Sequence, residues 1–358
     1  MRAPLLGERT HRGHGSHRFT SEVIRSRSVL LRSKLDAAVE DEEDENEFRT
    51  TTTQAILNLV IATAGGIGMV TLPGTFSTVG YLEGILLLVI SFLCAAFSLV
   101  CLNLACNARK EFSSSYGELV ASSLGPSGSY VLEALTLAYC FGQVICYLGA
   151  IGGQLKSLSS LVSTANLSAH WSIGSAALLM FPLSLLPEKS AMRFAGAVGT
   201  FCMIFIVATV VLGDGVSALR KGACSLASGA VPAAYSPSIS AMLRSAPIFL
   251  FSMNASVIYV PVRKEHQAGG ARRTESYIVI GCSLFASALF YLLCAVTAYY
   301  AYCSEIPENV VDVWPLSWIP GIFARAALSL ELLVAGAGIY IPLGRASLWH
   351  LIRKCGPF

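Results

Sequence analysis

Eight apolar runs separated by short polar connections follow a strongly polar stretch at the start of the chain. They fall near Gln54–Gly80, Leu82–Cys106, Tyr130–Leu161, Trp171–Leu186, Met192–Gly213, Ala246–Val262, Tyr277–Tyr302 and Ile319–Leu343. Most reach the roughly 20 residues that a helix needs to cross bilayer hydrocarbon. The fourth is short and holds Pro182, and the third is long enough to require tilt. None shows the strict alternation of a barrel strand. The pattern predicts an all-α polytopic membrane protein whose membrane domain covers residues 53–351.

Two runs are interrupted. The first contains Thr63-Ala64-Gly65-Gly66-Ile67-Gly68-Met69, with Pro73 close behind. Each glycine inside a helix costs about 1 kcal/mol relative to alanine, and proline about 3 kcal/mol. Backbone released from a helix inside lipid must find other partners. The sixth run places Ser252, Asn254 and Ser256 at mid-depth between Pro247 and Pro261. Interruptions five segments apart, at corresponding positions of two halves, point to a small-solute site built from discontinuous helices. Close helix packing over small residues and interhelical Ser/Asn hydrogen bonds are the competing explanation.

Composition supports the membrane assignment. Hydrophobic residues make up 54% and charged residues 13% of the 358, against about 25% charged in soluble domains. Residues 1–52 carry much of the charge, first basic (Arg2 to Lys34) and then acidic (Asp36 to Glu47). They are expected to be a disordered tail, solvated or touching anionic lipid. The tail lacks the apolar core of a signal peptide. His11, His14 and His17 at a spacing of three are weak metal candidates. A net charge of +3 gives no footprint for nucleic acid. With the N-terminus cytoplasmic, eleven Lys and Arg outside the tail fall on the cytoplasmic side and four (Lys156, Arg220, Lys221, Arg244) on the other, as the positive-inside rule requires. Asn166 then lies in a glycosylation sequon in an outer loop.

Candidate chemistry is sparse. Glu331 is a carboxylate inside the eighth run and a proton-site candidate. Arg325 lies about 120° away around the same helix, so the two are poor partners. Glu133 and Asp214 sit near segment ends and are expected at the interface. Most of the eleven cysteines lie within the apolar runs, but Cys224 and Cys303 fall in outer loops and are disulfide candidates. There is no metal spacing, phosphate loop or nucleophile elbow, so neither an enzyme nor a cofactor is indicated.

Several motifs in register resemble the amino acid/auxin permease family. They are Gly66-Ile67-Gly68-Met69-Val70-Thr71-Leu72-Pro73, Ser115-Tyr116-Gly117-Glu118-Leu119-Val120, Phe141-Gly142-Gln143-Val144-Ile145-Cys146-Tyr147-Leu148, Pro182-Leu183-Ser184-Leu185-Leu186, Pro247-Ile248-Phe249 and Ile341-Pro342-Leu343. The resemblance spans about Thr51 to Leu351. It implies a LeuT-like bundle with broken first and sixth helices, and an amino acid or related small solute moved with protons or sodium. Such a core has ten helices in two inverted halves. Eight runs leave the second half incomplete, as in a truncated product, a partial gene sequence or a divergent member, with residues 352–358 as a tail. Where sodium-coupled members of the family place an Asn and a hydroxyl, this chain has Ala62 and Ala335, which favours protons or exchange.

On this reading, amides around Gly66, Ile67, Gly68 and Met69 bind the substrate carboxylate at a positive helix end. Carbonyls near Ala64 and Gly65, and near Phe251 and Ser252, bind the ammonium. Tyr147 closes over the site and Asn254 borders it. Two functions are open: a secondary amino-acid transporter, or a non-transporting sensor, scaffold or remnant with the same fold. The plasma membrane and the vacuolar or other internal membranes are equally open as locations.

Overall fold

In the computed structural model, the described residues are 51–108, 116–162, 168–185, 188–224, 233–234 and 238–354. The charged tail up to residue 50 and Asn166 lie outside them. The described residues hold helices and no strand. Six helices are long and apolar enough to cross a membrane, and one bent pair makes a seventh span. A shorter apolar helix covers Ala169–Leu183. The chain is an all-α, multi-pass membrane protein.

The bent pair comes first. Helix α1, Thr52–Ala64, opens on a capping box. Gln54 N donates to Thr51 Oγ1, and Thr51 N donates to Gln54 Oε1. This satisfies donors that a helix start leaves free. Helix α2, Ile67–Val79, follows at an angle of 47° after Gly65 and Gly66. Gly66 has φ +131°, a region that side chains rarely enter.

Helix α3 is Tyr81–Asn107. Helix α4, Tyr116–Val162, is kinked at Gly125 just before Pro126. Its part after the kink is about 55 Å long at 1.5 Å per residue, well beyond the ~30 Å of hydrocarbon. The kink folds its first turns beside the span. Glu133 is therefore buried within the protein, its Oε1 lying against Gly117.

Helix α5 is Ala169–Leu183. Helix α6, Glu188–Ala208, continues through a π turn at Thr209–Gly215 into α7, Val216–Lys221. The π turn shifts the helical phase, and Asp214 points inward from it. Its carboxylate accepts from Tyr302 Oη at 2.8 Å and from Trp314 Nε1 at 3.0 Å. Asp214 is 4% exposed, held inside the protein by these two donors.

The second interrupted span is α8, Ile239–Ser252, and α9, Ser256–Ala268. Helix α10 is Glu275–Tyr302. Helix α11, Ile319–Ala335, runs through a second π turn, Gly336–Tyr340, into α12, Ile341–Lys354. The helices pack as two groups. Helix α10 lies against α1, α2 and α3, with α8 on α2 and α3, and α9 on α1. In the other group, α11 lies against α6 and α4, and α4 also holds α5 and α12. Large apolar side chains such as Phe97, Leu178 and Phe201 stay on the outside, as a lipid solvent permits.

Between α10 and α11, residues 303–318 form a cap. Arg325 on α11 holds it, donating from Nη1 to Asp312 Oδ1 at 2.7 Å and to Gln154 Oε1 at 3.0 Å, and from Nη2 to Trp314 O at 3.0 Å. Arg325 thus has its own partners, away from Glu331. Cys224 and Cys303 are joined in a disulfide with Cα atoms 5.4 Å apart, and Cys224 N donates to Tyr300 O. A crosslink over 79 residues stabilises by about 2–4 kcal/mol in the chain-entropy account. Cys303→Ser is expected to abolish the reduction-dependent gel shift of the wild-type chain and to lower its thermal midpoint.

Candidate functional site

The two interruptions meet at the centre of the bundle, between the two groups of helices. Residues Ala62, Thr63, Gly65, Gly66, Ile67 and Gly68 of the first break surround a cavity with Phe251, Ser252 and Asn254 of the second. Tyr139, Gln143 and Tyr147 of α4, Tyr291 of α10 and Tyr340 of the second π turn complete the lining. The cavity is about 20 Å³, enough for a water molecule and not for a larger solute. Entry of anything larger requires the wall to move.

Most residues expected at the site reach this wall. Gly65, Gly66, Ile67, Gly68, Tyr147, Phe251, Ser252 and Asn254 line it. Ala64 and Met69 do not, and instead pack fully buried in the apolar core. Both breaks are crowded. A Cβ on Gly66 would lie 2.6 Å from Tyr147 Oη, and one on Gly68 would lie 2.6 Å from Ser252 Oγ. Glycine at these positions lets the two broken spans and α4 approach each other.

The backbone at the breaks gives the site its polarity. The α2 start offers amides that have no partner within the helix, at the positive end of its dipole. One is taken: Gly66 N donates to Glu331 Oε1 at 2.7 Å. Glu331 is 1% exposed, and its other oxygen, Oε2, has no partner among the described residues. Carbonyls at the α1 and α8 ends converge from the other side. The Tyr291 hydroxyl lies 2.5 Å from Thr63 O and 2.8 Å from Ser252 O. Thr63 Oγ1 also pairs with Ser287 Oγ, one turn before Tyr291 on α10. Asn254 serves its own break, its Oδ1 accepting from Ser256 N at 3.3 Å at the start of α9.

An aromatic group closes the remaining wall. Tyr147 meets Tyr340 edge-on at 5.5 Å, and Tyr139 meets Phe251 at 5.5 Å and Tyr340 at 6.0 Å. Gln143 donates to Tyr139 Oη at 3.3 Å, and its Oε1 is buried with no partner among the described residues. The arrangement offers free amides on one side, and carbonyl and amide oxygens on the other.

Tyr139, Gln143, Tyr291 and Tyr340 were not singled out as site residues from the sequence. Gln143 stood in a motif without a role. Tyr291 sits in a long apolar run, where an aromatic reads as core. Tyr340 ends a π turn, which residue type does not announce. His11, His14 and His17 lie outside the described residues, and no metal-binding cluster occurs among those described.

Comparison with known proteins adds the family. The family model described as "Transmembrane amino acid transporter protein" matches residues 49–342. The chain is 25% identical over 291 residues to "Sodium-coupled neutral amino acid transporter 7" of Xenopus laevis, covering 77% of this chain and 61% of that protein. It is 26% identical over 280 residues to "Vacuolar amino acid transporter 5" of Schizosaccharomyces pombe, covering 75% of this chain and 62% of that one. It is 20% identical over 284 residues to "Vacuolar amino acid transporter 6" of Saccharomyces cerevisiae, covering 77% and 61%. The chain spans about three fifths of the length of these relatives.

Proposed function

This chain belongs to the transmembrane amino acid transporter family, and we propose that it carries an amino acid or related small solute across its membrane as a proton-coupled secondary transporter. The observation that carries this reading is the convergence of a free helix start and two helix ends on one central cavity. The substrate carboxylate is held by the amides of Ile67 and Gly68 at the positive end of α2. The ammonium is held opposite, by oxygens that include Gln143 Oε1 and the carbonyls at the α1 and α8 ends. The aromatic wall, with Tyr147, covers the bound solute.

Protons enter through Glu331. Its carboxylate and that of the substrate compete for one positive helix end, because Glu331 already holds the Gly66 amide. Two negative charges at one helix start repel. Protonating Glu331 removes that repulsion, so proton and substrate favour each other's binding. The affinity for substrate then falls as pH rises through the titration of Glu331. Relatives' names point to both sodium and vacuolar transport. In this chain Ala62 and Ala335 offer no side-chain oxygen where sodium-coupled members are expected to, which supports protons. The excess of Lys and Arg supports a cytoplasmic N-terminus, and the vacuolar relatives support an internal membrane.

Uptake of radiolabelled amino acids into proteoliposomes tests the reading. A proton gradient is expected to drive accumulation, and a sodium gradient is not. Binding without uptake would favour the sensor reading instead. Gly68→Val is expected to abolish uptake at near wild-type abundance, since its side chain would displace Ser252 Oγ at the break; an equal loss of abundance would indicate a packing role. Glu331→Gln is expected to keep substrate exchange but to flatten its pH profile, read as exchange rate between pH 5 and 8.

A further inference from the structure

The hydroxyl of Tyr291 stands where a cation is expected. A helix end gathers partial negative charge on its last carbonyls. Here two such ends, of α1 and α8, aim carbonyls at one point. The group at that point is the Tyr291 hydroxyl, within hydrogen-bond distance of both Thr63 O and Ser252 O. One proton serves both oxygens, so neither receives a full bond. Further oxygens lie around it. Thr63 Oγ1 pairs with Ser287 Oγ, one turn before Tyr291 on α10, and Ser252 Oγ lies close enough that a Cβ on Gly68 would touch both it and the Tyr291 hydroxyl. Thr63, Ser252 and Tyr291 are all at least nine-tenths buried. An oxygen-rich cluster at two negative helix ends suits a monovalent cation.

We propose that the Tyr291 hydroxyl is a resident surrogate for a monovalent cationic group, and that it must leave the two carbonyls before the substrate ammonium can take them. The inference rests on the transport reading for the identity of the displacing ammonium, but the surrogate role is independent of it. Two consequences follow. The chain needs no sodium to hold its broken spans together, because the phenol already bridges them. Removing only the hydroxyl opens the position to a free cation such as sodium.

The test is thermal unfolding of the purified full chain in detergent, in sodium chloride against choline chloride at equal ionic strength. The wild-type midpoint is expected to be the same in both salts. Tyr291→Phe is expected to unfold earlier than wild type in choline and to recover in sodium, by roughly 2 °C for each tenfold rise above half-saturation. A folded Tyr291→Phe chain with equal midpoints in both salts overturns the proposal, as does a sodium shift in the wild type. Should Tyr291→Phe fold in neither salt, Tyr291→Lys is the deciding variant, since its ammonium reaches about as far as the phenol oxygen. It is expected to fold in both salts, and its failure overturns the proposal. Titration with amino acid separates the two cation sources: in wild type only the amino acid raises the midpoint, whereas in Tyr291→Phe either does. A sodium response in Tyr291→Phe with no amino acid effect on any chain would sink the transport reading and leave the surrogate role standing.

Discussion

A backbone amide or carbonyl released from a helix inside a membrane has no water to turn to. The centre of this protein is an answer to that constraint, met twice. At the first break, the Gly66 amide finds the Glu331 carboxylate. At both breaks, a carbonyl finds the Tyr291 hydroxyl. Asn254 caps the second half of the other interrupted span. Glu331 and Tyr291 come from other helices, so these interruptions persist only while the bundle around them is intact.

That dependence explains the role of α10. It packs against α1, α2 and α3, and it supplies both Ser287 and Tyr291 to the point where the two breaks meet. The second group of helices supplies the aromatic wall and Glu331. The site therefore lies between two groups that pack mainly within themselves.

Much of this was legible in the residues and some was not. Gly65, Gly66 and Gly68 with Pro73, and Pro247 and Pro261 around Asn254, announced both breaks, because glycine and proline act locally. The apolar runs gave the spans for the same reason. Partners across the bundle left no local trace. Tyr291 and Tyr340 look like any aromatic in an apolar run. The partners of Asp214, Tyr302 and Trp314, could not be read ahead, because a π turn has no signature in residue type. The clasp of Gln154, Asp312 and Arg325 joins residues far apart in the chain, each unremarkable alone. Glu331 was legible as costly, since a carboxylate in lipid needs a reason, but its partner was a backbone amide and so had no side chain to reveal it.

The cap has a mechanical meaning. It is moored to α11 and α4 through Arg325 and Gln154, and to the end of α7 through Cys224. It also presses on the other group, where the Pro307 carbonyl would lie 2.6 Å from a Cβ on Gly74 of α2. Gly74 directly follows Pro73, whose ring already denies α2 one internal hydrogen bond. The helix is thus weakest where the cap leans on it. The cap thus ties the two groups of helices together at the residue after that proline, through side chains that lie outside the lining of the central cavity.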